Sequence, residues 1–254
     1  MIALAHQLDR TIVIGAPPAA VFNYFTDSAR WAAWWGAGST IDPRPGGRVY
    51  VRHPDGTEAS GDIVAITPPS EIVFTYGFVK GTPFPPGASR VTIRLEPAAR
   101  GTRVHLMHAF SEDADRDHHV QGWRYQLSLF ANIVANEIHR DAGALVDAWF
   151  ATWSERDEAA RRASLTAIAS PDVKMRDRFS CVEGMDELMP HLSAAQHHMP
   201  GLRLLRKGDV RHCQGTVIAE WTVVGPDDAP RGQGTNVFTL GPDGRIESVT
   251  GFWG

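Results

Sequence analysis

Asp177 stands in the segment MRDRFS, a carboxylate among strand-like residues. Turned into an apolar interior, it would carry a raised pKa and could take up a proton as a general base. Turned outward, it forms an ion pair with its neighbours Arg176 and Arg178 instead. A second group, DADRDHH at residues 113–119, gathers Asp115, Asp117, His118 and His119, all of metal-ligand type. Adjacent helical side chains diverge by about 100°, and acids at a helix start favour the helix dipole, so no metal site is expected there. His197 and His198 read the same way, as the end of a helix. The third group is aromatic. WAAWWG sets Trp31, Trp34 and Trp35 at i, i+3 and i+4, a single face of a short helix. His108 follows Val104 and Leu106 on one strand face. A polar tip there either orients a ligand or is satisfied by a backbone carbonyl.

Other chemistries find no pattern. GQGT at residues 232–235 precedes a strand rather than a helix, so it is no phosphate loop. No nucleophile elbow and no serine, histidine and acid set at family spacing occurs, and no cofactor is expected. The formal net charge is −4 with no basic stripe, which argues against nucleic acid as a partner. Two cysteines, Cys181 and Cys213, make neither a disulfide scaffold nor a zinc site. No apolar run reaches the roughly 18 residues of a membrane span, and MIALAHQLDR lacks signal-peptide character. A cytoplasmic protein with no membrane partner is the expectation.

The 254 residues, 43% of them hydrophobic, suffice for two cores. DRTIVIG reads as a strand, and Pro17 and Pro18 open a helix with Val21, Phe22 and Phe25 on one face. Asp27 or Ser28 caps the tryptophan helix, which Gly36 and Gly38 end. GGRVYVRHPDGTEASGDIVAI predicts two strands about a Pro-Asp-Gly turn. EIVFTYGF aligns Ile72, Phe74, Tyr76 and Phe78, and two further strands follow. From about Asp115 to Asn136 the period is helical, with Val120, Trp123, Leu127, Phe130 and Val134 in one stripe. Trp123 thereby faces the sheet, as Phe74 and Tyr76 do from the strands. After NEIHRDAG the helices begin again: two broken near Ser154, a third ended by Pro200 and Gly201, and then a long meander with another Pro-Asp-Gly turn.

PPAAVFNYFTDSARWAAWWG, GDIVAITPPSEIVFTYGF, GTRVHLMHAF and HHVQGWRYQLSLF resemble the successive signatures of the SRPBCC, or START-like, helix-grip proteins. The nearest likeness is to the subgroup named for the activator of Hsp90 ATPase (AHSA1-like). LVDAWFATWSERD, PDVKMRDRFSCVEG and DGRIESVTGFWG resemble the NTF2-like, or SnoaL-like, cone. The resemblance implies an α+β chain in two parts, residues 1–137 as the helix grip and 138–254 as the cone. It implies a hydrophobic cavity between sheet and long helix, with Trp34, Trp35, Phe74, Tyr76, His108 and Trp123 as candidate ligand-binding residues. In the cone it offers Trp149, Trp221, Phe238 and Trp253 as walls and Asp177 as catalytic base. The expected activity is binding of a small hydrophobic or aromatic metabolite. The alternatives are a SnoaL-type isomerase, cyclase or hydrolase and an Hsp90 co-chaperone-like protein. Cones of this kind commonly dimerise through the outer sheet face, so a homodimer through the C-terminal domain is expected.

Overall fold

The computed structural model describes residues 3–254. Two compact units divide between Val134 and Ala135. The first begins with strand β1 (His6–Ile14), helix α1 (Pro18–Phe22), a 3-10 turn (Asn23–Phe25) and helix α2 (Ser28–Trp35). Strands β2 (Thr40–Ile41), β3 (Arg48–Arg52), β4 (Glu58–Thr67), β5 (Glu71–Tyr76), β6 (Ser89–Ala98) and β7 (Gly101–Phe110) lead into the long helix α3 (Asp113–Ile138). The seven strands form one sheet in the order β1-β7-β6-β5-β4-β3-β2, and every neighbouring pair is antiparallel.

Local chemistry explains these elements. Pro18 occupies the first turn of α1, where its missing N–H costs nothing. The Asp27 side chain caps α2 by accepting from the Arg30 N–H. Gly36 then ends α2 at a φ of 138°, and a Cβ there would lie 2.2 Å from the Arg52 carbonyl oxygen, so only glycine fits. Ile72, Phe74 and Tyr76 alternate inward along β5; Val91, Ile93 and Leu95 do the same on β6. Trp123, Leu127, Phe130 and Val134 form the buried stripe of α3.

The second unit carries helices α4 (Ala142–Thr152), α5 (Glu158–Ile168) and α6 (Met185–His198). Its strands are β8 (Ala169–Arg176), β9 (Cys181–Glu183), β10 (Arg203–Cys213), β11 (Thr216–Val224), β12 (Pro230–Leu240) and β13 (Ile246–Trp253). The sheet runs β10-β11-β12-β13-β8-β9, antiparallel except where β13 lies parallel to β8. Trp149, Phe150, Leu165, Leu188, Val217 and Phe238 fill the interior. The two units are thus a helix-grip domain and an NTF2-like cone, α+β in class.

Candidate functional site

A cavity of about 470 Å³ opens in the first unit. Its walls come from the end of α2 (Trp35), the β3–β4 turn (His53, Pro54, Asp55, Thr57), β5 and the residues after it (Tyr76, Phe78), and one face of α3 (His119, Gly122, Trp123, Gln126). His119, Gly122, Trp123 and Gln126 stand at i, i+3, i+4 and i+7, so the helix presents them together. Glycine at position 122 leaves the wall recessed. Trp35 lies 6.5 Å from Tyr76 in a stacked pair and 5.5 Å from Trp123 edge-on. His118 and the exposed Tyr125 sit at the rim.

Polar groups meet on this wall. The Tyr76 hydroxyl lies 3.3 Å from His53 Nε2. Burial pushes the Tyr76 phenol well up, so it stays protonated. Burial also lowers His53, against an opposing pull from Asp55. His119 is lowered by burial as well, although its hydrogen bond to the Asp115 carbonyl works the other way. That bond, Nδ1 to oxygen at 2.7 Å, identifies Nδ1 as the protonated nitrogen of neutral His119. Nε2 is then a free acceptor. Among the described residues no lysine or arginine lines the cavity, and Asp55 is its one carboxylate.

Behind the wall, His108 is fully buried and held at both ring nitrogens. The Trp123 indole N–H donates to its Nδ1 at 2.9 Å. Its Nε2–H faces the Ser89 hydroxyl at 2.8 Å, and that hydroxyl donates to the Tyr76 carbonyl. His108 is held well below the ordinary histidine range, by burial first and His119 second. The Gln126 amide donates to the Trp34 carbonyl, tying α3 to the end of α2.

The second unit has a smaller pocket of about 130 Å³. Trp153, Met175, Met199, Trp221 and Trp253 supply its apolar walls, and Asp177 and Arg231 reach it. Asp177 Oδ1 accepts from the Phe179 N–H at 2.7 Å, and Oδ2 accepts from the Trp253 indole at 3.3 Å. The Trp221 indole donates to Asn236 Oδ1 at 2.8 Å.

Residues 15–135 match the family described as activator of Hsp90 ATPase homolog 1-like protein. The match spans nearly all of the first unit. No curated protein matches the chain. Among solved structures, a putative isomerase of the SnoaL-like family from Agrobacterium tumefaciens is 24% identical, with 46% of this chain and 98% of that one covered and a TM-score of 0.43. A Mesorhizobium loti protein is 18% identical over 50% of this chain and 94% of its own, at a TM-score of 0.43. CalU16 from Micromonospora echinospora is 26% identical over 49% and 70%, at a TM-score of 0.40. No helix among the described residues is long and apolar enough to cross a membrane, and no three His, Cys, Asp or Glu residues among them are arranged to hold a metal ion.

Of the six residues that sequence reasoning placed at the cavity of the AHSA1-like unit, the structure puts Trp35, Tyr76 and Trp123 on the wall. Trp34, Phe74 and His108 lie outside it, buried in the core. His108 is satisfied by an indole and a hydroxyl, not by the expected backbone carbonyl. Trp31, on the same helix face, is fully buried, and its indole donates to the Tyr50 carbonyl. Sequence patterning does not mark the wall residues His53 and Phe78 as site residues, and it offers His119 only as a metal-ligand type. The i, i+4 spacing of His119 and Trp123 was the available signal; nothing local marks His53.

In the second unit Trp221 and Trp253 line the small pocket, while Trp149 and Phe238 are core. Asp177 is not a strand residue: β8 stops at Arg176, and Asp177 turns the chain by accepting from Phe179 and donating its own N–H to the Ser180 carbonyl. Nor does it pair with its arginine neighbours. Arg176 bonds Glu183, and Arg178 lies over the Phe179 ring.

Proposed function

We propose that the AHSA1-like unit binds a small apolar, aromatic molecule in the cavity lined by Trp35, Tyr76, Phe78 and Trp123. The observation that carries this reading is the cavity itself. At about 470 Å³ it lies within the size range of small-molecule sites, and its aromatic walls are interspersed with a few polar groups. The test is calorimetric titration of the whole chain with a panel of aromatic compounds, followed by Trp35→Ala. Saturable binding that Trp35→Ala weakens supports the reading; a panel without binders overturns it.

A second reading concerns assembly. Along the second sheet, Leu205 pairs with Thr222, and Thr235 links Glu220 to Phe252, so these residues share the outer face. Leu205 is 42% and Phe252 57% exposed on it. We infer a homodimer through this face. Sedimentation of wild type against Phe252→Lys tests it: a dimeric mass that the variant lowers is the expected result, and a monomeric wild type at micromolar concentration refutes it.

A further inference from the structure

Three observations bear on the head group of the ligand, and they rest on the binding reading above. First, among the described residues the cavity has no lysine or arginine and carries one carboxylate, Asp55. An anionic ligand would shed its hydration shell with no countercharge to meet it. Second, His119 donates through Nδ1 to the Asp115 carbonyl, and its Nε2 has no protein partner among the described residues although His119 lines the cavity. Nε2 therefore offers a lone pair that only a ligand or solvent can use. Third, the Tyr76 hydroxyl stands on the same wall, its ring centroid 6.3 Å from that of His119, with His53 Nε2 as its protein partner. Where the His53 nitrogen donates, the phenol O–H is left to donate inward.

A group that both donates a hydrogen to one partner and accepts from another fits an acceptor nitrogen beside a donor hydroxyl. The simplest such group is a hydroxyl. The flat walls of Trp35, Phe78 and Trp123 ask for a ring behind it. We propose that the cavity selects neutral, hydroxyl-bearing aromatic molecules of phenol type, with the hydroxyl donating to His119 Nε2 and accepting from the Tyr76 hydroxyl. The same two groups disfavour an ether, which cannot donate, and a carboxylate, which brings an uncompensated charge.

Three probes with one ring system separate these cases: 1-naphthol, 1-methoxynaphthalene and 1-naphthoate, each titrated into the full chain at pH 7.5. Naphthol should bind about tenfold more tightly than the ether, the fold-change equivalent to about 1.4 kcal/mol for one satisfied hydrogen bond. Naphthoate should bind more weakly than naphthol. His119→Phe should erase the preference for naphthol while the ether still binds, and Tyr76→Phe should reduce it. Melting curves establish which variants fold, and the wild-type ranking decides the matter even where neither does. Equal affinity for naphthol and ether, or tightest binding of naphthoate, overturns the head-group proposal and leaves the cavity reading standing. Failure of all three probes to bind overturns both.

Discussion

The indole N–H of Trp123 points at Nδ1 of His108 across 2.9 Å, joining the long helix to strand β7 through one buried hydrogen bond. An indole is only ever a donor, so Nδ1 must be the acceptor and the proton of neutral His108 must sit on Nε2, facing Ser89. Each member depends on the others. Trp123→Phe keeps most of the ring but strands a buried acceptor. It should cost about 1–3 kcal/mol of unfolding free energy, more than the lost ring atoms alone explain. Urea denaturation of Trp123→Phe, His108→Leu and the double variant measures it. The double variant should recover part of the loss, because both polar groups then leave together. Strict additivity of the two single losses would contradict a shared bond.

Much of this architecture was legible before any coordinates. Period-2 runs such as EIVFTYGF and the 3.6-residue stripe from Val120 to Val134 declare their own secondary structure, because each buries one face. What periodicity does not encode is whether an inward side chain meets another side chain or an empty space. Trp35 and Trp34 sit on the same helix face, yet one lines the cavity while the other packs 4.7 Å from Phe130. His53 lies in the β3–β4 turn and Tyr76 at the end of β5, and only the tertiary fold brings them together. Asp177 misled for a third reason. A strand pattern continues through it, but an aspartate side chain competes for backbone N–H groups, and here it wins the turn.

The division between Trp34 and Trp35 can be measured. Trp34 is buried against Phe25, Trp31 and Phe130 and is absent from the cavity wall. Trp34→Ala should cost about 3–5 kcal/mol, the usual penalty for truncating a buried large aromatic. The milder Trp34→Phe should lower the melting temperature while ligand affinity stays close to wild type. Trp35→Phe should weaken binding by a larger factor than its stability loss explains. Equal effects of both phenylalanine variants on affinity would show that the wall is not divided in this way.

Acid sensitivity follows from the buried histidines. His139 is 5% exposed, and neither of its ring nitrogens has a hydrogen-bond partner. Burial, reinforced by His212 and opposed by Asp243, lowers its pKa to about 4. The unfolded chain titrates near 6.5. Above that pH both states are neutral and the group contributes nothing. As pH falls from about 6.5 to about 4, the unfolded chain takes up a proton that the folded chain refuses, so stability falls with it. Below the folded value the full penalty, on the order of 3 kcal/mol, is in place. His53, His108 and His119 are lowered too and push in the same direction. His139→Phe should therefore match or exceed wild-type stability at pH 7.5 and lose less of it by pH 5. Denaturation midpoints across that range report the slope, and an unchanged slope would remove His139 from the account.

Asp177 decides whether the second unit does chemistry. As a general base it would need to hold its lone pairs toward a substrate, at a basicity above that of an ordinary carboxylate. Instead one oxygen accepts from the Phe179 N–H and the other from the Trp253 indole, so both already have protein partners. Its surroundings fit a carboxylate that shapes the β8–β9 turn and anchors Trp253 beside the small pocket better than one that abstracts protons. Asp177→Asn should keep the turn, since an amide oxygen can still accept from Phe179, and should cost less than about 2 kcal/mol. Trp253 fluorescence should shift as its partner changes from carboxylate to amide. Binding of aromatic ligands in the first unit should be unaffected. Product analysis with the same panel completes the test: turnover by wild type that vanishes in a folded Asp177→Asn variant would make Asp177 a base after all and the second unit an enzyme.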